Sequence, residues 1–251
     1  MAAAVALVVA LAGCELRTEI NIDVADDGSG TVQVGAGVDD DALERRPDLL
    51  DDLALDDLLA TGWTATEPAK EADGLTWVRL THDFARPEDV GILVDEIAGE
   101  HGPFRDFAVV RDDGFAETSY TFSGTVDFSA GVSGLTDDPE LAEALEADPA
   151  ELIEDEIGQA IDDVLQVQIG VRLPGDVVSN APTQASNGAL WRPSVLERDA
   201  VDLSATGTLQ RTERYLWLAL AVAAGFALLF FLAIRLAAWR RRTGQDPAPD
   251  A

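Results

Sequence analysis

The residue with the most specific chemistry is Cys14, the single cysteine of the 251-residue chain, which closes the run LVVALAGC. A short apolar run ending in Leu-Ala-Gly-Cys has the form of a bacterial lipoprotein signal, in which the cysteine is lipidated and becomes the new amino terminus. A lone cysteine also excludes internal disulfides and any cysteine-clustered metal site. The two histidines, His82 and His101, are far apart, and neither has a metal-ligand type four positions on. His82 falls in a strand-like alternation and His101 at a helix exit beside Gly102 and Pro103, so neither is expected to catalyse or to bind metal. Asp26 and Asp27 lack the spacing of an EF-hand and fit a turn. The pairs Asp51/Asp52 and Asp56/Asp57 sit between leucines as the solvated face of a helix. No G-x-S-x-G elbow, P-loop or dinucleotide fingerprint occurs, and GVSGL at Gly131–Leu135 resembles the first only superficially. Carboxylates occur in nearly every segment, so no catalytic pair stands out. No enzyme activity, cofactor or metal is therefore expected.

The elements around Cys14 are those of a membrane protein. Residues 1–13 match the apolar core of a signal peptide and are too short to span a bilayer as a helix. They contain no basic residue, so a start further upstream that adds Arg or Lys is expected. At the other end, Tyr215–Ile234 is a run of 20 uncharged residues, which as a helix rises about 30 Å and matches a hydrocarbon core. Tyr215 and Trp217 mark one interface and Trp239 the other. Arg235 lies near the second end and can snorkel to the headgroups. Arg240, Arg241 and Arg242 follow, and a basic cluster beside a span stays cytoplasmic. Residues 214–239 are thus expected to form a transmembrane helix, 240–251 a cytoplasmic basic stop with a disordered tail, and 14–213 an extracytoplasmic domain.

The charge is unevenly shared. Of 17 basic residues four follow Arg214, and of 47 acidic residues two do, which leaves residues 1–214 with a net charge of −32. Nucleic-acid binding by charge is excluded, and so is adhesion to anionic headgroups by charge alone. Solubility accounts for such acidity, with a basic partner as the alternative.

Between the anchors, hydrophobic periodicity alternates between that of strands and that of helices. LRTEINIDV and TVQVGAGV, joined by DDGSG, read as a hairpin. Asp39–Ala60 reads as helical: a short piece carrying Leu43, then a helix opened by Pro47 with Leu49, Leu50, Leu53 and Leu58 on one face, stopped by Gly62. WTATEPA and LTWVRLTHDF form a second hairpin through Asp73-Gly74. A helix follows from Pro87 to Gly99, and FRDFAVVR and FAETSYTFSGTVDF form a third hairpin through Asp112-Asp113-Gly114. Two helices opening DPELAEAL and DPAELIED are expected between Asp137 and Leu165, the second with an apolar stripe packed on a sheet. VQIGVRL is a further strand, and NGALWRP with VDLSATG suggests one last hairpin. The prediction is one α+β domain, a largely antiparallel sheet built of hairpins with interleaved helices. For residues 175–213 a loosely attached extension is the alternative.

In order and kind these parts resemble the LppM family of actinobacterial envelope lipoproteins. The likeness rests on the cysteine signal, the DDGSG hairpin, the helical insert, the stretch Pro174–Asn180, then Asn187, Gly188 and Trp191, and the terminal helix with its basic stop. The resemblance implies an exported α+β domain at the cell envelope that binds lipid or glycolipid, with no established catalysis and no ligand residue that can be carried over. Two functions from different classes follow. One is a membrane-anchored binder of envelope lipid or glycolipid, with an apolar pocket between sheet and helices. An anionic headgroup would then need Arg79, Arg86, Arg105 or Arg111 to cluster at its mouth. The other is a non-enzymatic interaction or assembly factor at the outer face of the cytoplasmic membrane.

Overall fold

A computed structural model describes residues 15–47, 49–50, 55–99, 102–128, 165–185, 187–195 and 199–243. Cys14, His101, the two helices expected over 137–165 and the tail from 244 lie outside these residues. The chain divides into two compact units. One is the described part of Met1–Asp112 with Ser119–Leu209, and the other is Asp113–Thr118 with the described residues from Gln210 on.

The strands, which belong to the first unit except for Asp113, Glu117, Thr118 and Gln210 at their ends, are β1 (Leu16–Val24), β2 (Gly30–Val38), β3 (Thr64–Ala65), β4 (Ala69–Lys70), β5 (Thr76–Phe84), β6 (Phe104–Asp113), β7 (Glu117–Val126), β8 (Leu165–Arg172), β9 (Asp176–Ser179), β10 (Thr183–Ala185), β11 (Gly188–Trp191) and β12 (Val201–Gln210). The fold is α+β with mostly antiparallel pairing, but its strands form two sheets where the sequence had suggested one. The first sheet has the order β10-β11-β8-β1-β2-β5-β3, with β4 also on β5; the second has the order β6-β7-β12-β9. β1 and β8 pair in parallel, with Ile20 opposite Ile169.

The alternation read from the sequence decides which face is inside. Ile20, Ile22 and Val24 of β1, Val32 of β2, Leu80 and Phe84 of β5, and Val167, Ile169 and Val171 of β8 are buried. They share one core with Phe107, Tyr120, Phe122 and Leu203 of the second sheet. Each such side chain contributes about 1.5–3 kcal/mol by leaving water. Aromatic edges fill the layer: Phe107 and Phe122 meet at 5.6 Å and 73°, and Phe122 lies 5.8 Å from Trp191 of the first sheet. A 3-10 turn at Pro87–Asp89 leads into α3 (Val90–Ala98), which adds Val90, Leu93 and Val94 to this core before Gly99, at φ 70°, ends it.

The first helical piece, α1 (Asp40–Arg45), is capped by Asp39, whose carboxylate accepts from Ala42 N–H at 2.8 Å and Glu15 N–H at 2.7 Å. Pro47 does not open the second helix. It lies in a turn in which Leu49 N–H donates to Arg46 O at 3.1 Å, and among the described residues that follow the regular helix α2 spans Asp56–Ala60. The turn lets Leu49 and Leu50 fold back onto Val38 and Val78 at the end of the first sheet, contacts that a helix continuing from Pro47 would carry away.

The last expected hairpin does not form either. β11 pairs with β8 in the first sheet, while β12 lies beside β9 in the second, so the chain changes sheets between Trp191 and Val201. Trp191 and Leu203 then bury their side chains in the same core from opposite sides, which pairing as neighbours would prevent. Residues 175–209 are accordingly part of both sheets and no loose extension. Asn180, just after β9, links the layers: its Oδ1 accepts from Trp191 Nε1–H at 2.9 Å and Ser204 N–H at 3.0 Å, and its Nδ2 donates to Asp202 O at 2.8 Å. The corner before β9 needs Gly175, at φ 78°, where a Cβ would lie 2.0 Å from Thr208 O.

The second unit is α4 (Thr212–Thr243) with the short loop Asp113–Thr118. Its segment Arg214–Arg235, 22 residues, is long and apolar enough to cross a membrane. Tyr215, Trp217, Phe226, Phe230 and Trp239 are all exposed along it, as lipid-facing side chains would be.

Candidate functional site

The residues that alternate with the core positions form the outer face of the first sheet, which is polar. On β1 these are Arg17, Glu19, Asn21 and Asp23; opposite them in register stand Thr31, Gln33, Gly35 and Gly37 of β2, and Gln166, Gln168, Gly170 and Arg172 of β8. Two constructions occupy this face.

Toward one end, Trp77 of β5 lies flat on β2. Its indole is buried, and a Cβ at Gly35 or Gly37 would stand 3.1 Å or 2.7 Å from the ring, so only glycine fits beneath it. Asp73 holds the ring from the turn: its carboxylate accepts from Trp77 Nε1–H at 3.1 Å and Leu75 N–H at 3.1 Å, and pairs with Arg17 at 3.3 Å. Partial burial pushes the Asp73 carboxyl up, but these hydrogen bonds and the Arg17 charge together hold it below its ordinary value. Arg79 stacks on the outer side of the indole, 4.4 Å from the ring centre, and pairs with Glu71 and, at 3.8 Å, with Glu19. The construction is closed: its cations already face carboxylates.

Where β2, β1, β8, β11 and β10 lie side by side, the same face forms a groove of about 600 Å³. Its lining includes the amides of Asn21, Gln33 and Asn187, the hydroxyls of Thr31 and Thr183, and the Asp23–Arg172 ion pair. Gly170 keeps its floor low, because a Cβ there would lie 2.4 Å from Asn21 Oδ1. Gln33 is steadied by a 3.3 Å hydrogen bond to Thr81 Oγ1. Neutral donors and acceptors with one internally balanced ion pair suit a neutral ligand rich in hydroxyl groups. Leu190 and Ala185 add apolar surface to the lining, while its one cation, Arg172, is already paired and offers little to an isolated anion.

The groove is on the face away from the core, not in the apolar space where the sequence had placed a pocket. Among the described residues, the space between the sheets is occupied by the aromatic and aliphatic side chains named above. The four arginines whose clustering an anionic headgroup would need are dispersed. Arg79 belongs to the Trp77 construction, Arg86 pairs with Asp89 at 2.9 Å, Arg105 with Asp127 at 3.2 Å, and Arg111 donates to Asp27 O across Tyr120. None of them lines the groove.

The turn aspartates are turn formers. Asp27 Oδ1 accepts from Ser29 Oγ–H at 2.7 Å and Ser29 N–H at 3.0 Å, and those bonds hold its carboxyl below the usual range. His82 sits on β5 against Trp63, ring centres 5.4 Å apart, while Trp63 donates to Glu96 at 3.1 Å. Among the described residues, no three His, Cys, Asp or Glu side chains group as a metal site. Of the groove residues only Asn187 and Gly188 were singled out from sequence, for the resemblance and not for a site, because polar positions alternating along a strand look like any solvated face. The one distinguishing signal was Gly170 inside a strand, which marks close approach of another group.

No family model matches the chain, and no curated protein matches it. Among solved structures it is similar to the folded domain of the LppM protein of Mycobacterium tuberculosis, determined by NMR, at 12% identity and a TM-score of 0.42, covering 78% of this chain and 90% of that one.

Proposed function

We propose that this is a membrane-anchored, extracytoplasmic binding protein that holds the sugar headgroup of a neutral envelope glycolipid in the groove beside Asn21 and Gly170. The groove carries the reading: amide and hydroxyl groups stand beside the apolar surface of Leu190 and Ala185 around a space of about 600 Å³, in the range of small-ligand sites, and its one charged pair is internally balanced. The apolar segment Arg214–Arg235 supports a site beside a membrane, and lipidation of Cys14 would add a second anchor. No catalytic role is assigned to any residue.

The test is calorimetric titration of the full chain in detergent micelles with a neutral glycolipid and, separately, with phosphatidylglycerol. The glycolipid is expected to bind and the anionic lipid not to. Asn21→Ala should weaken glycolipid binding roughly tenfold, the effect of losing about one good hydrogen-bonding group. Gly170→Val, which fills the floor, should abolish it. Binding that is unchanged in both variants would reject the groove. The acidity of the exported part favours a second reading, docking of a basic protein, and binding of a polylysine peptide with no response to glycolipid would replace the first reading by that one.

A further inference from the structure

The loop Asp113–Thr118 is built onto the first turn of α4. Arg211 N–H donates to Ala116 O at 2.7 Å, Arg211 Nη2 lies 3.5 Å from Asp113 Oδ1, and Arg214 Nη1 donates to Gly114 O and Phe115 O at 3.3 and 3.2 Å. Thr118, buried, donates to Asp113 Oδ1 at 2.8 Å. These bonds fix the one large apolar side chain of the loop, Phe115, with its ring edge-on to Tyr215 at 6.4 Å and 86°. Yet Phe115 remains 62% exposed, next to Tyr215, Leu216 and Trp217, which are exposed as well.

A loop that spends this many hydrogen bonds to present a phenyl ring to solvent is out of place in water. At a bilayer surface it is well matched. Tyr215 opens the apolar segment, and aromatic residues at such positions lie at the headgroup level. A ring whose centre lies 6.4 Å from that of Tyr215 cannot differ from it in depth by more than that distance. The paired charges Arg211 and Asp113 and the carbonyl-bound Arg214 suit the polar headgroup layer. We infer that Phe115 inserts into the outer-leaflet interface of the bilayer that α4 crosses, so that the loop is a second protein contact with lipid. This rests on reading α4 as a membrane span. The partner is the lipid interface itself, through apolar contact, with no specific headgroup required.

The experiment places a single NBD-labelled cysteine at position 115, 220 or 67 of the full chain, in a Cys14→Ser background, reconstituted into phosphatidylcholine vesicles with a doxyl group at acyl carbon 5. Leu220 lies within the apolar segment, and Glu67 is an exposed residue of the first unit. Phe115→Cys is expected to give blue-shifted NBD emission that loses intensity with the doxyl lipid, as Leu220→Cys does, while Glu67→Cys keeps the emission of the label in water. Emission at 115 that matches 67 while 220 is quenched overturns the inference and leaves the span standing. Absence of quenching at 220 overturns the span and the inference with it.

Discussion

Gly37 shows how much a single missing methyl group can decide. A Cβ there would press within 2.7 Å of the Trp77 indole, and the ring cannot retreat without losing its bonds to Asp73 and its stack with Arg79. Gly37→Ala is expected to destabilise the protein by about 1–3 kcal/mol, the usual cost of overpacking, measured by urea denaturation. The run GAGV was open to a partial reading, since glycine inside a strand implies something lying close. Its partner was not legible, because Trp77 stands 40 positions away and register across a sheet is not written in either strand alone. Asp73 makes a second test. Its carboxyl is lowered from an ordinary 3.8, so its contribution is complete above that value and is lost as pH falls through the native value beneath it. Asp73→Asn keeps one accepting oxygen, in the place of Oδ1 within reach of Leu75 N–H at 3.1 Å and Trp77 Nε1–H at 3.4 Å, but loses the second oxygen and the charge beside Arg17. The stability gap between wild type and variant should be constant above roughly pH 5 and narrow steadily toward pH 3, as followed by denaturation at each pH.

Among the elements, the hairpins were the most legible, because each carries its own turn chemistry. DDGSG closes by Ala25 N–H to Ser29 O at 2.7 Å, and the Asp73-Gly74 turn by Gly74 N–H to Glu71 O at 3.1 Å. The last pair of strands was misread for want of such a turn. The sequence between Trp191 and Val201 holds no Asn-Gly or Asp-Gly pair, and the same inward alternation serves equally well for strands in facing sheets. What joins them is Asn180, which satisfies the buried indole N–H of Trp191 and the Ser204 N–H together. Asn180→Ala should cost about 1–3 kcal/mol, the range for leaving a buried donor unpaired. Asn180→Asp keeps the accepting oxygen but sets a second acceptor against Asp202 O, where Nδ2 donates at 2.8 Å, so it should recover only part of that stability; thermal unfolding of the two variants is the comparison. The helical insert was legible in type but not in extent, since leucine spacing cannot tell a long helix from two short ones bent around a turn.

For the whole molecule, attachment and charge set what can be expected. A single acyl chain binds a membrane only marginally, whereas a spanning helix is effectively irreversible. Cys14→Ser is therefore expected to leave the protein in the membrane fraction after an alkaline carbonate wash. Deletion of residues 215–234 in that background should release it, as judged by immunoblot of both fractions. That an α+β domain is followed by one long apolar helix could be read from hydrophobic patterning alone, since the helix signal is long and local. The division into two sheets could not, because it depends on pairings between distant segments. The most distant of these falls on β1, which is made early yet has β8 as its parallel neighbour, with 140 residues between Val24 and Leu165. At ribosomal speeds of about 5–20 residues per second, that interval is on the order of ten seconds. Through that time one edge of β1, with Ile20 and Ile22 on it, is an open strand capable of pairing with another nascent chain. High contact order in a central strand makes this a slow folder, whose yield depends on being kept unpaired until its last third has been made.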